Sequence, residues 1–128
     1  MNSETENTRK VVQAMYQAAL AGDMAGATAT MAEDLIVHEP LFLPWGGISH
    51  GKQAFIDLLG RIGTHLDMSS LILERLVVDG DMAVSYMSGT THGGRHLLAS
   101  ERSTVRDGKI VEITVFYHDA GELVPAIA

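Results

Sequence analysis

Hydrophobic residues in the first half of the chain recur at the spacing of amphipathic helices. The pattern Ser3-x-x-Glu6 is typical of a helix N-terminus, and Gly22 is a plausible end for this first helix. Asp23 can cap a second helix, whose inner side would carry Met24, Ala27 and Met31. A third helix is predicted from Lys52 to Leu66, with an apolar stripe of Phe55, Ile56, Leu59, Ile62 and Leu66.

The rest of the chain has the pattern of β-strands. An apolar strand ends at Pro40, and an apolar loop from Leu41 to Gly47 follows, which we interpret as a lid over a cavity or a packed turn. Three strong hairpin signals come later, namely Asp79-Gly80, Gly93-Gly94 and Asp107-Gly108. They separate four predicted strands of an antiparallel meander: Ser69–Val78, Met82–His92, Arg95–Val105 and Lys109–His118. This order predicts an α+β fold, with helices packed on one face of the sheet.

The amino-acid composition excludes several classes of function. Hydrophobic residues make up 46% and charged residues 20% of 128 residues, as in an ordinary globular domain, so we expect a single domain over residues 1–128. The net charge of −7 and the lack of a basic run argue against nucleic-acid binding. The absence of cysteine excludes disulfides and thiol catalysis. We find no signal peptide and no apolar span, and therefore expect a cytoplasmic protein without a membrane partner.

Glu39 is the most informative single residue of the chain. It ends the segment Leu35-Ile36-Val37-His38-Glu39-Pro40, and it shares a face with Leu35 and Val37 because side chains two apart in a strand point the same way. A carboxylate on a core-facing row is costly unless a partner or a function accounts for it. Glu39 is therefore a candidate for proton transfer.

The hairpins place a second carboxylate on the inward row. If Gly93-Gly94 is a two-residue loop, Tyr86 lies opposite Glu101. The inward row then contains Val84, Tyr86, Ser88, Leu97, Ala99, Glu101, Ser103 and Val105. At the next hairpin, a three-residue loop from Arg106 to Gly108 is favoured, because it buries Ile113, Val115 and Tyr117. Tyr117 is thus expected near Glu101.

Three segments together resemble the nuclear transport factor 2-like superfamily, which has the cystatin-like fold. They are Val11-Val12-Gln13 through Ala21-Gly22-Asp23, then Val37-His38-Glu39-Pro40, then Asp107-Gly108-Lys109-Ile110-Val111-Glu112. Within the superfamily the chain looks like the ketosteroid isomerases and the SnoaL-like polyketide cyclases. The resemblance implies a cone of three N-terminal helices packed on a curved antiparallel sheet. It also implies a homodimer formed through the outer sheet face.

The same resemblance suggests roles for single residues. Glu39 matches the general base before a proline, and Glu101 matches a protonated acid that donates a hydrogen bond to an oxyanion. The first-helix tyrosine of ketosteroid isomerases aligns with Met15, and Tyr16 follows it. Tyr86 or Tyr117 could supply the hydroxyl instead, so the candidate catalytic residues are Glu39, Glu101, Tyr86 and Tyr117. The candidate pocket residues are Met15, Tyr16, Phe42, Trp45, Phe55, Leu59, Val84 and Ser88.

Our leading hypothesis is an isomerase- or cyclase-type enzyme acting on a hydrophobic small molecule. Glu39 would remove a proton alpha to a carbonyl, without metal or organic cofactor. One alternative is an epoxide hydrolase or dehydratase; limonene epoxide hydrolases use an Asp-Arg-Asp set, of which Glu101-Arg102 is the nearest local equivalent. Another is a non-catalytic module for ligand binding or dimerisation.

Overall fold

The computed structural model of the chain describes residues 3–118. Residues 1–2 and 119–128 lie outside the described part, so one domain over all 128 residues stays a prediction. Within the described part there are three helices, α1 (Ser3–Leu20), α2 (Met24–Ala29) and α3 (Lys52–Gly63). The strands are β1 (Met31–Glu39), β2 (Gly47–His50), β3 (Leu66–Asp79), β4 (Met82–Thr91), β5 (His96–Arg106) and β6 (Lys109–Tyr117).

The strands form one sheet in the order β2-β1-β6-β5-β4-β3. All neighbours are antiparallel except β1 and β6, which are parallel and bring the first strand beside the last. The fold is α+β, as predicted. The parallel pair matters for the site, because it places the end of β1, with Glu39, next to β6.

Helix α1 is held over the sheet by a polar clasp at the β3–β4 turn. The Thr8 hydroxyl donates to the Gly80 carbonyl oxygen at 2.7 Å, and the Gly80 amide donates to the Thr5 hydroxyl at 2.9 Å. Thr8 is only 1% exposed, so leaving it unpaired would be costly. The clasp fixes the register of α1 over β4 and β5, where its buried residues Met15 and Tyr16 meet the sheet.

The β4–β5 register differs from the prediction by one residue. The Thr91 amide donates to the Arg95 carbonyl oxygen, so the loop contains three residues and ends with Gly94 at a φ of +90°. Ser85, not Tyr86, therefore lies opposite Glu101. The prediction for β4 was wrong because two adjacent glycines do not distinguish a two-residue loop from a three-residue loop with a left-handed glycine.

In the β5–β6 hairpin the residues of β6 face the predicted side of the sheet, but the turn and the register differ from the prediction. The turn contains two residues, Asp107 and Gly108, with φ values of 51° and 75°, so the predicted three-residue loop is wrong. Val111 is instead the extra residue of a bulge, which restores the alternation. Ile113 and Val115 are buried and face inward, as their burial energy required.

Two further differences concern the chain around β1. The strand begins at Met31, so this residue belongs to β1 and not to α2, although Asp23 caps α2 as expected. The strand β2 was not predicted, and it pairs with β1 at the end of the apolar loop. A strand of four residues has too few positions for its alternation to be recognised in sequence.

Candidate active site

Glu39 lies at the end of β1 and is 8% exposed. Its side chain accepts a hydrogen bond from the indole nitrogen Nε1 of Trp45, at 3.0 Å from Oε1. Burial raises the pKa of Glu39 to about 8; the Trp45 hydrogen bond opposes this shift, and the charge of Glu101 adds to it. Glu39 is therefore a carboxyl group that exchanges its proton near neutral pH.

The loop after Pro40 is folded back so that Trp45 points inward. The Leu43 amide donates to the Pro40 carbonyl, and the Gly46 amide donates to the Leu43 carbonyl. Arg61 of α3 donates to the Pro44 carbonyl at 3.2 Å, which ties the loop to the helix. Trp45 is consequently 2% exposed.

Phe42 of the same loop points outward. It is 53% exposed, so its predicted place in the pocket is wrong. The turns that bury Trp45 leave Phe42 on the opposite side of the loop, and the sequence offers no signal for choosing between two neighbouring aromatic residues.

Glu101 is the centre of a hydrogen-bonded chain from helix to sheet. The Tyr16 hydroxyl of α1 donates to Glu101 Oε1 at 2.5 Å and lies 2.6 Å from the Ser85 hydroxyl. Because the single Tyr16 proton is directed to Glu101, the Ser85 hydroxyl can donate to Tyr16. Ser85 Oγ also lies 3.4 Å from the Glu101 carbonyl oxygen.

The surroundings of Glu101 and Tyr16 favour the uncharged forms of both side chains. Burial raises the pKa of Glu101, and the Tyr16 hydrogen bond opposes that rise. Burial and the Glu101 charge raise the pKa of Tyr16 well above its ordinary value. Among the described residues, no cationic side chain contributes to the pKa of Glu101. Arg61, one of the arginines that could have paired with it, is engaged at Pro44.

Tyr117 borders the same cavity as the two carboxyl groups. Its pKa is raised first by burial and then by the charges of Glu39 and Glu101. Its ring centroid is 6.2 Å from that of Trp45. The predicted inward position of Tyr117 is confirmed.

Glu39, Glu101 and Tyr117 face one cavity of about 90 Å³, which we name the carboxyl chamber. A second cavity of about 390 Å³, the helix-side chamber, adjoins it between the helices and the sheet. The carboxyl chamber is lined by Glu39, Leu59, Ile62, Leu66, Met68, Leu71, Met87, Ser88, Gly89, Leu97, Ala99, Glu101, Val115 and Tyr117. The two chambers share Leu59, Met68, Leu71, Met87 and Glu101.

Most of the predicted pocket residues line one of the two chambers, and some of them do not. Met15, Tyr16, Phe55 and Leu59 line the helix-side chamber, and Leu59 lines both. Ser88 borders the carboxyl chamber, but its hydroxyl donates to Glu74 at 2.6 Å on the outer sheet face, so its side chain does not point into the chamber as predicted.

Tyr86 and Val84 lie on the other face of the sheet. Tyr86 pairs with Ser100 and is 50% exposed, and Val84 pairs with Arg102. Both follow from the one-residue shift of β4, which reverses every side chain of that strand. Their predicted places in the site are wrong.

Sequence reasoning missed two contacts and one residue. It placed Tyr16 and Trp45 only in the pocket wall, whereas they hydrogen-bond Glu101 and Glu39, and Trp45 lines neither chamber. It did not identify Ser85, whose only signal is that it becomes Glu101's neighbour once the correct hairpin loop is chosen.

The outer sheet face carries the other polar candidates. His38 bonds to Glu112 at 2.8 Å there, away from the chambers. Arg102 lies over the Phe116 ring, 5.7 Å from its centroid. Among residues 3–118 no group of three or more His, Asp and Glu side chains is arranged to hold a metal ion. None of the described helices is both long and apolar enough to cross a bilayer.

Proteins of known structure share this fold. A nuclear transport factor 2-like protein of unknown function from Burkholderia pseudomallei is 22% identical, with a TM-score of 0.78 over 94% of this chain and 98% of that one. Bal32a, from a soil-derived mobile gene cassette, is 20% identical, with a TM-score of 0.83 over 96% and 100%. TerC, co-crystallised with polyporic acid, is 21% identical, with a TM-score of 0.77 over 91% and 97%.

No curated protein matches the chain in sequence. The family model of the SnoaL-like domain, however, matches residues 12–113, which include Tyr16, Glu39, Ser85 and Glu101. The chain therefore belongs to the SnoaL-like domain family, within the nuclear transport factor 2-like superfamily.

Proposed function

We propose that the protein catalyses proton transfer at the carbon next to a carbonyl group of an apolar small molecule, as an isomerase or cyclase without a cofactor. The observation that carries this proposal is that two carboxyl groups with raised pKa values, Glu39 and Glu101, face the same apolar chamber. Paired acids in different environments can divide the base and acid roles between them.

Glu39 serves as the general base. With a pKa of about 8 its carboxylate is basic enough to accept a carbon-bound proton, yet a fraction of about a tenth is ionised at pH 7. The Trp45 indole holds one carboxylate oxygen and leaves the other free for the substrate.

Glu101 serves as the neutral acid that stabilises the enolate. Its Oε1 accepts from Tyr16, so the proton of the neutral acid can sit on Oε2 and point at the substrate oxygen. As Glu39 removes the proton, the carbon–hydrogen electron pair moves toward the carbonyl, and negative charge develops on the oxygen beside Glu101. Glu39 then returns the proton to another carbon, which completes an isomerisation.

Two further observations favour this proposal over the alternatives. TerC, which has the same fold, was co-crystallised with an organic compound, polyporic acid, and this supports a small-molecule ligand here. Arg102 lies on the outer sheet face, away from the chambers, so Glu101-Arg102 does not form an epoxide-hydrolase set. Epoxide hydrolysis is accordingly disfavoured.

The proposal can be tested without knowing the natural substrate. We expect the wild-type protein to accelerate exchange of the alpha protons of a ketone probe, hexanone, in deuterated water, followed by NMR. Glu39→Gln should lower the enzymatic rate by about 100-fold or more, because it removes the base but still accepts from Trp45. Below pH 8 the wild-type rate should rise about tenfold per pH unit, and it should level off above, because only ionised Glu39 is active.

Glu33→Gln is the matched control. The Glu33 side chain is 91% exposed and pairs with Lys52, so this variant should exchange the probe at the wild-type rate. If Glu39→Gln stays within a few-fold of wild type, the mechanism is wrong. If the wild-type protein gives no acceleration and NMR titration finds both carboxyl pKa values near 4.3, a non-catalytic binding module is the better interpretation.

A further inference from the structure

The helix-side chamber has a polar inner end and an apolar opening. At the inner end Tyr16 and Glu101 close the cavity, and Glu101 also faces the carboxyl chamber. At the other end the lining residues Leu20, Gly22 and Gly60 are exposed, which marks the opening between α3 and the α1–α2 connection. A path thus runs from solvent along apolar side chains to the proposed reaction centre.

No contact among residues 3–118 explains the glycine at position 60. It lies inside α3, where glycine lowers helix stability relative to alanine, and its φ is not positive. A Cβ atom there would meet no atom of the described residues within 4 Å. Gly60 and Ile56, four residues apart on one helix face, both line the chamber. The missing side chain therefore keeps the mouth of the chamber open.

The two chambers differ in volume, so they can hold parts of a ligand that differ in size. An apolar protein cavity of ~150 Å³ holds a benzene molecule. By that measure the carboxyl chamber, at about 90 Å³, holds roughly four non-hydrogen atoms, and the helix-side chamber, at about 390 Å³, holds roughly sixteen. The small chamber fits a reacting head group, and the large one fits an apolar body.

We propose that the helix-side chamber is the binding site for the apolar tail of an elongated carbonyl compound, whose tail leaves the carboxyl chamber at Glu101 and runs out past Gly60. This inference rests on the proposed function for the position of the carbonyl group. Four methionines, Met15, Met24, Met68 and Met87, line the chamber, and their flexible side chains suit an unbranched or irregular tail.

The test uses two probe series of increasing length. The first contains the straight-chain methyl ketones butanone, hexanone, octanone and decanone, and the second contains hexane and octane. Binding is followed by methyl NMR of labelled methionines, since Met15 and Met24 line only the helix-side chamber. In the wild type each added methylene should tighten ketone binding about fourfold, and octanone should shift the Met15 and Met24 signals.

Gly60→Leu should weaken binding of the apolar tail but leave binding of the carbonyl head group unchanged. Decanone and octanone should bind at least about tenfold more weakly than to the wild type, and butanone should be unaffected. Asp57→Leu is the control, because Asp57 is exposed on the same helix, bonds to Gln53 and lies outside both chambers. Leucine also favours the helix more than glycine, so a thermal unfolding midpoint at or above wild type verifies folding.

The two series separate this inference from the proposed function. If tail length has no effect, if neither series binds, or if Gly60→Leu behaves like Asp57→Leu, the tail site is wrong. If alkanes show the length dependence and its loss in Gly60→Leu, but ketones bind no better than alkanes, the tail site stands. In that case it is the carbonyl-binding role of Glu101 that fails.

Discussion

At the scale of single residues, the site consists of buried acids with unequal support. Glu101 is bonded by the Tyr16 hydroxyl, which Ser85 supports in turn, whereas Glu39 has the Trp45 indole. A carboxyl group removed from water keeps its proton to a higher pH unless donors compensate for the lost solvation. Each side chain bonded to these acids therefore adjusts a protonation equilibrium as well as a position.

Tyr16 is the residue whose removal should separate catalysis from folding. Tyr16→Phe deletes the donor to Glu101 but keeps the ring, and we expect the ketone exchange rate to fall by about tenfold or more. The pKa of Glu101, measured by NMR titration, should rise further because the hydrogen bond that lowered it is gone. Tyr86→Phe, on the outer face, should leave both quantities unchanged. Equal effects of the two variants would contradict the role of Tyr16.

At the scale of elements, loops and bulges decide which side chains enter the site. The three-residue loop before β5 turns Ser85 rather than Tyr86 inward, and the bulge at Val111 keeps Val115 opposite Glu101. The loop between β1 and β2 has the same importance, because its turns deliver Trp45 to Glu39. One residue more or less in any of them would change the site without altering the fold.

Gly46 is essential to the loop that carries Trp45. A Cβ atom there would lie against the Pro40 carbonyl oxygen and 2.8 Å from Leu41 Cα, and these backbone atoms cannot move aside. Gly46→Ala should lower the free energy of unfolding in urea by about 1–3 kcal/mol. It should also shift the fluorescence of Trp45, the single tryptophan, to the red.

Gly60→Ala is the matched control for this substitution, since its Cβ would meet no atom of the part of the chain that the structure describes and the helix gains from alanine. It should leave the fluorescence unchanged and stabilise the protein slightly. A Gly46→Ala protein with wild-type stability and emission would show that the loop is not fixed by this close approach.

At the scale of the whole molecule, the two faces of the sheet differ in what they contact. The inner face and the helices enclose the chambers. The outer face exposes Tyr86, Leu98 and Phe116 beside Glu74, around a groove of about 380 Å³. Apolar side chains grouped on an exposed sheet face favour association.

From the family resemblance we propose that two copies associate through this outer face. Size-exclusion chromatography with light scattering should give about twice the chain mass of 13.8 kDa. Leu98→Glu, at a position that is 44% exposed, should shift the protein to monomer, because it places two like charges in the interface. Leu41→Glu, at a loop position that is 87% exposed, should remain dimeric. A wild-type monomer would refute the proposal.

The sequence by itself determined the order of the elements apart from β2, and the inward face of most of them. Helical and strand periodicities are local, so Glu39, Glu101 and Tyr117 could be assigned to the interior without a structure. Burial energy even selected the correct face of β6, although the loop that was inferred from it was wrong.

Only the tertiary structure decided which residues meet. Tyr16 and Glu101 lie 85 positions apart, and their contact depends on the register of α1 over the sheet, which the clasp at Gly80 fixes. Ser85 enters the site because of a single residue in a hairpin loop, and Trp45 because of two turns that its own sequence does not specify. Such contacts join elements distant in the chain, and local patterns carry no information about their alignment.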